Sequence, residues 1–130
     1  MSENMKTLEA MIAASKRKDH DAFLDTLTDD LEYHWRMGTK PIRDKATMRK
    51  FLRNYEQGFD QRDWIVLNWA EKGDTMLVEG LEQLYDRTRK VLIDNPFMQA
   101  IEFRAGKISK LRDYYDSARF QADANQESAA

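Results

Sequence analysis

The chain has 130 residues, the size of one ordinary domain, and its 42% apolar content is enough for one core and not for two. Its 21 Lys plus Arg nearly balance 23 Asp plus Glu, for a formal net charge of −2. Such a surface exerts no general pull on a phosphate backbone, so nucleic acid is not an expected partner. There is no cysteine, which excludes disulfides, thiolate metal sites and a cysteine nucleophile.

The opening MSENMKTLEAMIAASKRKD interleaves apolar and charged residues and has no apolar run of signal-peptide length. Nor does any later segment approach the ~20 apolar residues that span a bilayer. A cytoplasmic protein that does not engage membranes is therefore expected. Met5, Leu8, Met11 and Ile12 recur at helical spacing, and Lys16, Arg17 and Lys18 suit the carbonyl end of that helix. Asp19 or His20 starts a short second helix carrying Phe23, Leu24 and Leu27, which a turn at 28–30 ends. Residues 31–37 alternate strictly, with Leu31, Tyr33, Trp35 and Met37 against Glu32, His34 and Arg36, as in a half-buried strand. After a loop with Gly38 and Pro41, Asp44 is placed to cap a third helix. Met48, Phe51, Leu52 and Tyr55 form its apolar face.

The second half reads as strands at 63–70, 75–85, 91–103 and 108–115. They are joined by turns at Gly73, at 86–90 and at Gly106, and the third is expected to break or bulge near Pro96. Helices followed by an antiparallel meander make an α+β fold, with the N-terminal helices packed on a curved sheet. Residues 1–120 are expected to form one domain, and the small polar residues 121–130 a frayed tail. The two histidines, His20 and His34, have no metal-ligand spacing, and no Gly-rich phosphate loop is present, so neither metal nor cofactor is expected.

On the long strand Met76, Val78, Gly80, Glu82 and Leu84 share one face, and Leu111, Asp113 and Tyr115 share one face of the last strand. The opposite face carries Leu77, Leu81 and Gln83, beside a comparable row of Ile65, Leu67 and Trp69. An apolar outer sheet face marks a partner surface, so a homodimer through the sheet is expected.

The order of elements, with GDTMLVEGLE and later IEFRAGKISKLRDYYD, resembles the NTF2-like (SnoaL-like) superfamily of cone-shaped pockets. The limonene-epoxide hydrolase branch is the most similar. The resemblance implies a carboxylate pair in the pocket, at Glu82 and Asp113, with Tyr33 as a water-positioning residue. That branch has an Arg where this chain has Gly80, and an Asn where it has Trp35. Without the Arg, two facing acids repel, and one tends to hold a proton at neutral pH. The catalytic candidates are thus Asp113 as base, Glu82 as partner acid, and Tyr33. Trp35, Val78, Gly80, Leu111, Tyr115 and Met98 are the expected substrate contacts, and Gly80 is expected to widen the cavity or else to mark a β-bulge.

The function expected is acid–base chemistry on a hydrophobic small molecule in an apolar pocket, without a cofactor. Epoxide opening and isomerisation or cyclisation through an enol are the reactions the resemblance implies. The alternatives are a module that binds without turnover, or a dimerisation domain whose interior is filled by side chains such as Trp35 and Met98.

Overall fold

The computed structural model describes residues 2–118 and Phe120. Expectations for 121–130 lie outside the described residues.

Each helix starts where a side-chain oxygen meets a free amide. Ser2 accepts from the Met5 amide at 3.0 Å and opens α1 (Glu3–Arg17). Asp19 accepts from Ala22 at 3.1 Å and opens α2 (His20–Asp25). Asp44 accepts from Thr47 at 2.7 Å and opens α3 (Lys45–Gly58). Lys18 ends α1 in the left-handed region at φ 59°, and its ammonium reaches Asp60 while Lys16 reaches Asp63 at 2.7 Å. The basic run therefore ties α1 to the sheet. No helix among the described residues is long and apolar enough to cross a membrane.

Five strands form one sheet: β1 (Leu27–His34), β2 (Phe59–Lys72), β3 (Thr75–Asp86), β4 (Val91–Arg104) and β5 (Lys107–Tyr115). Their spatial order is β1-β5-β4-β3-β2, so β1 and β2 are opposite edges of a curved sheet that does not close. The meander β2 to β5 is antiparallel, whereas β1 pairs parallel with β5. The strand expected at 31–37 instead begins at Leu27, which the sequence suggests is in the second helix, runs through the turn expected at 28–30 and ends at His34. The pairing slips between Leu27 and Glu32, which hides the alternation there.

Pro96 does not break β4. It pairs with Leu81 on β3 without a slip, and the β4–β5 ladder begins one residue later at Phe97, so the missing N–H interrupts nothing on that side. The apolar row expected on β2 is split. A bulge between Val66 and Asn68 leaves Ile65 opposite Leu81 but puts Trp69 opposite Val78, on the other side of the sheet.

The core lies between the helices and the sheet. Met5, Leu8, Met11 and Phe23 pack there against Met76, Val78, Ile101, Ile108 and Leu111. At ~25 cal/mol per Å² of apolar area removed from water, this layer fixes the helices on the sheet. The α3 stripe behaves differently: Met48 is buried, while Phe51, Leu52 and Tyr55 are only half-buried because they face an open space.

Candidate active site

That space is a cavity of about 400 Å³ between α3 and the concave face of the sheet. Phe51, Leu52 and Tyr55 form its helical wall, and Trp64, Phe97 and Tyr115 its apolar sheet wall. Its size is in the range of small-molecule sites, which are mostly apolar with a few converging polar groups.

The polar groups are set by strand register. Glu82 sits on β3 between Trp64 on β2 and Asn95 on β4. Two residues along, Gly80 aligns with Phe97 and Tyr115; two further, Val78 aligns with Gln99 and Asp113. Alternation thus sends Glu82, Asn95, Gln99 and Asp113 to the same concave side.

The two carboxylates have unlike surroundings. Glu82 accepts from Gln61 Nε2 at 2.7 Å, and makes longer contacts with the Tyr55 hydroxyl at 3.4 Å and Asn95 Nδ2 at 3.5 Å. The Ser15 hydroxyl donates to Gln61 Oε1 at 2.7 Å, which turns the amide so that its NH2 faces Glu82. Burial raises the Glu82 carboxyl above its ordinary range, while these three donors pull it back. Asp113 is pushed up to about 8, first by burial and then by the charge of Glu82, with a contact to Gln99 opposing. Among the described residues its Oδ1 is buried without a hydrogen-bond partner. One acid thus holds a proton at neutral pH, as two facing acids without an intervening Arg suggest, although burial outweighs repulsion as the cause.

Three more buried atoms on the cavity wall lack partners among the described residues: Trp64 Nε1, Asn95 Oδ1 and Gln99 Oε1. An unmatched buried polar atom costs about 1–3 kcal/mol, so an occupant that bonds to these atoms is held in a defined pose.

Tyr33 lines the cavity, 8% exposed, and burial followed by the charges of Asp113 and Glu82 raises its pKa, so it stays an O–H donor. Trp35 and Tyr115 also line it, and Tyr115 is pushed up to about 12 by burial and then by Asp113. The remaining expected contacts lie elsewhere. Val78 and Leu111 are fully buried in the core. Met98 is 47% exposed and pairs with Glu79 and Tyr114, so it lies on the convex face and neither lines nor fills the cavity. Gly80 does not widen the cavity: a Cβ there would lie 2.3 Å from Phe97 Cζ and 2.5 Å from the Ile65 carbonyl oxygen, so the Phe97 ring occupies the vacated space. Gly80 does stand opposite the β2 bulge, the other role the sequence suggests.

Sequence reasoning missed the amides Gln61, Asn95 and Gln99 and the side chains Tyr55, Trp64, Phe97 and Arg36. Asn95 and Gln99 have a readable signal, since amides at alternate positions of an otherwise apolar strand are costly unless used. Arg36 has none, because β1 ends at His34 and alternation no longer decides where the next residues point.

A SnoaL-like domain model matches residues 8–111. The chain belongs to the SnoaL-like domain family. No curated protein matches this SnoaL-like chain by sequence. Solved structures show the same NTF2-like fold. An NTF2-like protein of unknown function from Burkholderia pseudomallei superposes with a TM-score of 0.85 at 18% identity, over 94% of this chain and 97% of its own. An LEH-like epoxide hydrolase from M. tuberculosis gives 0.81 at 22%, over 98% and 93%. A putative polyketide cyclase from Xanthomonas campestris gives 0.81 at 20%, over 94% and 96%. At these identities the likeness bears on the fold of the SnoaL-like chain and leaves its chemistry to the site.

Proposed function

We propose that the cavity is the active site of a cofactor-free enzyme that transfers protons on a hydrophobic small molecule, with Asp113 as the acid and Glu82 as the base. The observation that carries this reading is the unlike environment of the two carboxylates. Three donors to Glu82 stabilise its ionised form against the burial that raises it, whereas Asp113, among the described residues, has an unpartnered oxygen in the cavity and keeps its proton. These roles reverse the order suggested by the sequence resemblance. Tyr33 supplies a neutral O–H donor beside them.

Such a pair suits two reactions. In epoxide opening, Glu82 takes a proton from an attacking water while Asp113 protonates the ring oxygen as its C–O bond breaks. In isomerisation or cyclisation through an enol, Glu82 removes a proton α to a carbonyl and Asp113 hydrogen-bonds or protonates the carbonyl oxygen. The absent Arg at Gly80 favours the second reaction over the first. The test is turnover of a panel of apolar epoxides and of β,γ-unsaturated or α-acidic ketones. Wild type should convert at least one class, with loss of about 100-fold or more in the D113N and E82Q variants. Unaltered rates in both variants would overturn the assignment.

Binding without turnover is the second reading, favoured by the same absent Arg, and it predicts saturable ligand binding with no product. We also propose that the convex sheet face pairs with a second copy of the chain. Leu77, Met98, Tyr114 and Leu92 are exposed there, at 49%, 47%, 44% and 68%.

A further inference from the structure

Arg36 follows the end of β1 and is an exposed residue on the rim of the cavity wall. It also lines the adjoining opening, together with Met37, Gly38, Ser117, Tyr115 and Asp113, so it stands where the cavity meets solvent. Its guanidinium lies 5.4 Å from the centre of the Trp35 ring, which holds the side chain in place by cation–π contact. Among the described residues it makes no ion pair, and neither Glu82 nor Asp113 is influenced by its charge. It therefore does not replace the Arg that the epoxide hydrolases place between their carboxylates.

Tyr115 lines both the cavity and the opening beside Arg36; burial and then the charge of Asp113 raise its hydroxyl, and the charge of Arg36 lowers it. The other cation on the wall, Arg89, is already engaged, by Asp86 at 3.4 Å and by the Phe120 carbonyl at 3.3 Å. Arg36 is thus the one cation of the wall, among the described residues, left without an acidic partner. A planar guanidinium with free donors, backed by an indole, is suited to a carboxylate or an enolate oxygen.

We infer that the ligand of this cavity is an amphipathic organic acid, its anionic group paired with Arg36 at the mouth and its apolar body laid between Phe51 and Phe97. This rests on the proposed function for the location of the ligand and adds its charge and orientation. Pairing at Arg36 directs the rest of the molecule past Tyr115 and Asp113, which line both spaces, toward Glu82, which lines the cavity and not the opening. The pose also keeps the ligand's charge away from Glu82.

The test compares 2-naphthoate with 2-naphthamide, which share a ring and differ in charge. Binding is followed by NMR through the indole N–H signals of Trp35 and Trp64 on the cavity wall, with Trp69, outside it, as control. Naphthoate should bind wild type about tenfold more tightly than naphthamide. The R36Q variant should lose that preference, the two probes then binding with like affinity, and R36K should recover part of it. If both probes shift Trp35 and Trp64 with equal affinity, or if R36Q keeps the preference, the anion site is refuted and the cavity remains a neutral-ligand site. If neither probe moves these two signals, the cavity does not take ligand and the proposed function falls as well.

Discussion

Replacing Asp113 by asparagine is expected to stabilise the protein at neutral and alkaline pH while removing its acid. The carboxyl titrates near 3.8 when free and near 8 in the folded chain. Between these values the folded state holds a proton that the unfolded chain has released. Stability from this group therefore falls as pH rises, by up to about 1.4 kcal/mol per pH unit, and the loss levels off above the folded-state value. Glu82, also raised by burial, adds a loss of the same sign. The D113N variant has no such proton to lose, and its amide resembles the neutral acid in shape and donor capacity. Urea unfolding at pH 5, 6, 7 and 8 should therefore show the variant gaining on wild type by up to about 1.4 kcal/mol at each step. Acids that do not interact with Asp113 titrate alike in both proteins and cancel in the difference, while the coupling to Glu82 is lost with the Asp113 charge. A gap that stays constant from pH 5 to pH 8 would refute the protonated Asp113 on which the proposed chemistry rests.

G80A should destabilise by about 1–3 kcal/mol in chemical denaturation, because the new methyl meets both the Phe97 ring and the Ile65 backbone carbonyl. F97A should rescue it only in part, since the backbone contact remains. Q61L removes the 2.7 Å donor to Glu82 and should cost about 1–3 kcal/mol, more at pH 8 than at pH 5, because the ionised carboxylate is the form that loses its partner. S15A should reproduce part of that pH dependence by freeing the Gln61 amide. On the convex face, L77E combined with M98E should convert a dimer to a folded monomer in sedimentation velocity; an unchanged sedimentation coefficient with wild-type circular dichroism would exclude this interface.

The helices and the four-strand meander are legible in the sequence because their signals are local. Capping residues stand at Asp19 and Asp44, and apolar spacing marks Met5 to Ile12 and Met48 to Tyr55. Period-two alternation along β3 and β5 likewise marks the faces that carry Glu82 and Asp113, and in the structure both side chains line the cavity. What the sequence hides is non-local. The parallel pairing of β1 with β5 depends on a partner some 80 positions away, as Tyr33 opposite Leu111 shows. The β2 bulge that separates Ile65 from Trp69 has no side-chain signature. Gly80 misleads because the absence of a side chain says nothing about which neighbour moves in, here Phe97. Met98 misleads because a one-residue change of parity at Pro96 would have turned it inward, and the strand runs straight through. The Ser15–Gln61–Glu82 chain joins α1, β2 and β3, so it emerges only when all three are packed.

Site-specific titration of the side-chain carboxyl carbons by 13C NMR tests the central claim most directly. The account predicts that the Asp113 carbon carries most of a step near pH 8, while Glu82 carries most of the charge at neutral pH. If both carbons titrate below pH 5, the two acids are ionised together at neutral pH, Asp113 has no proton to give, and the acid–base assignment is wrong.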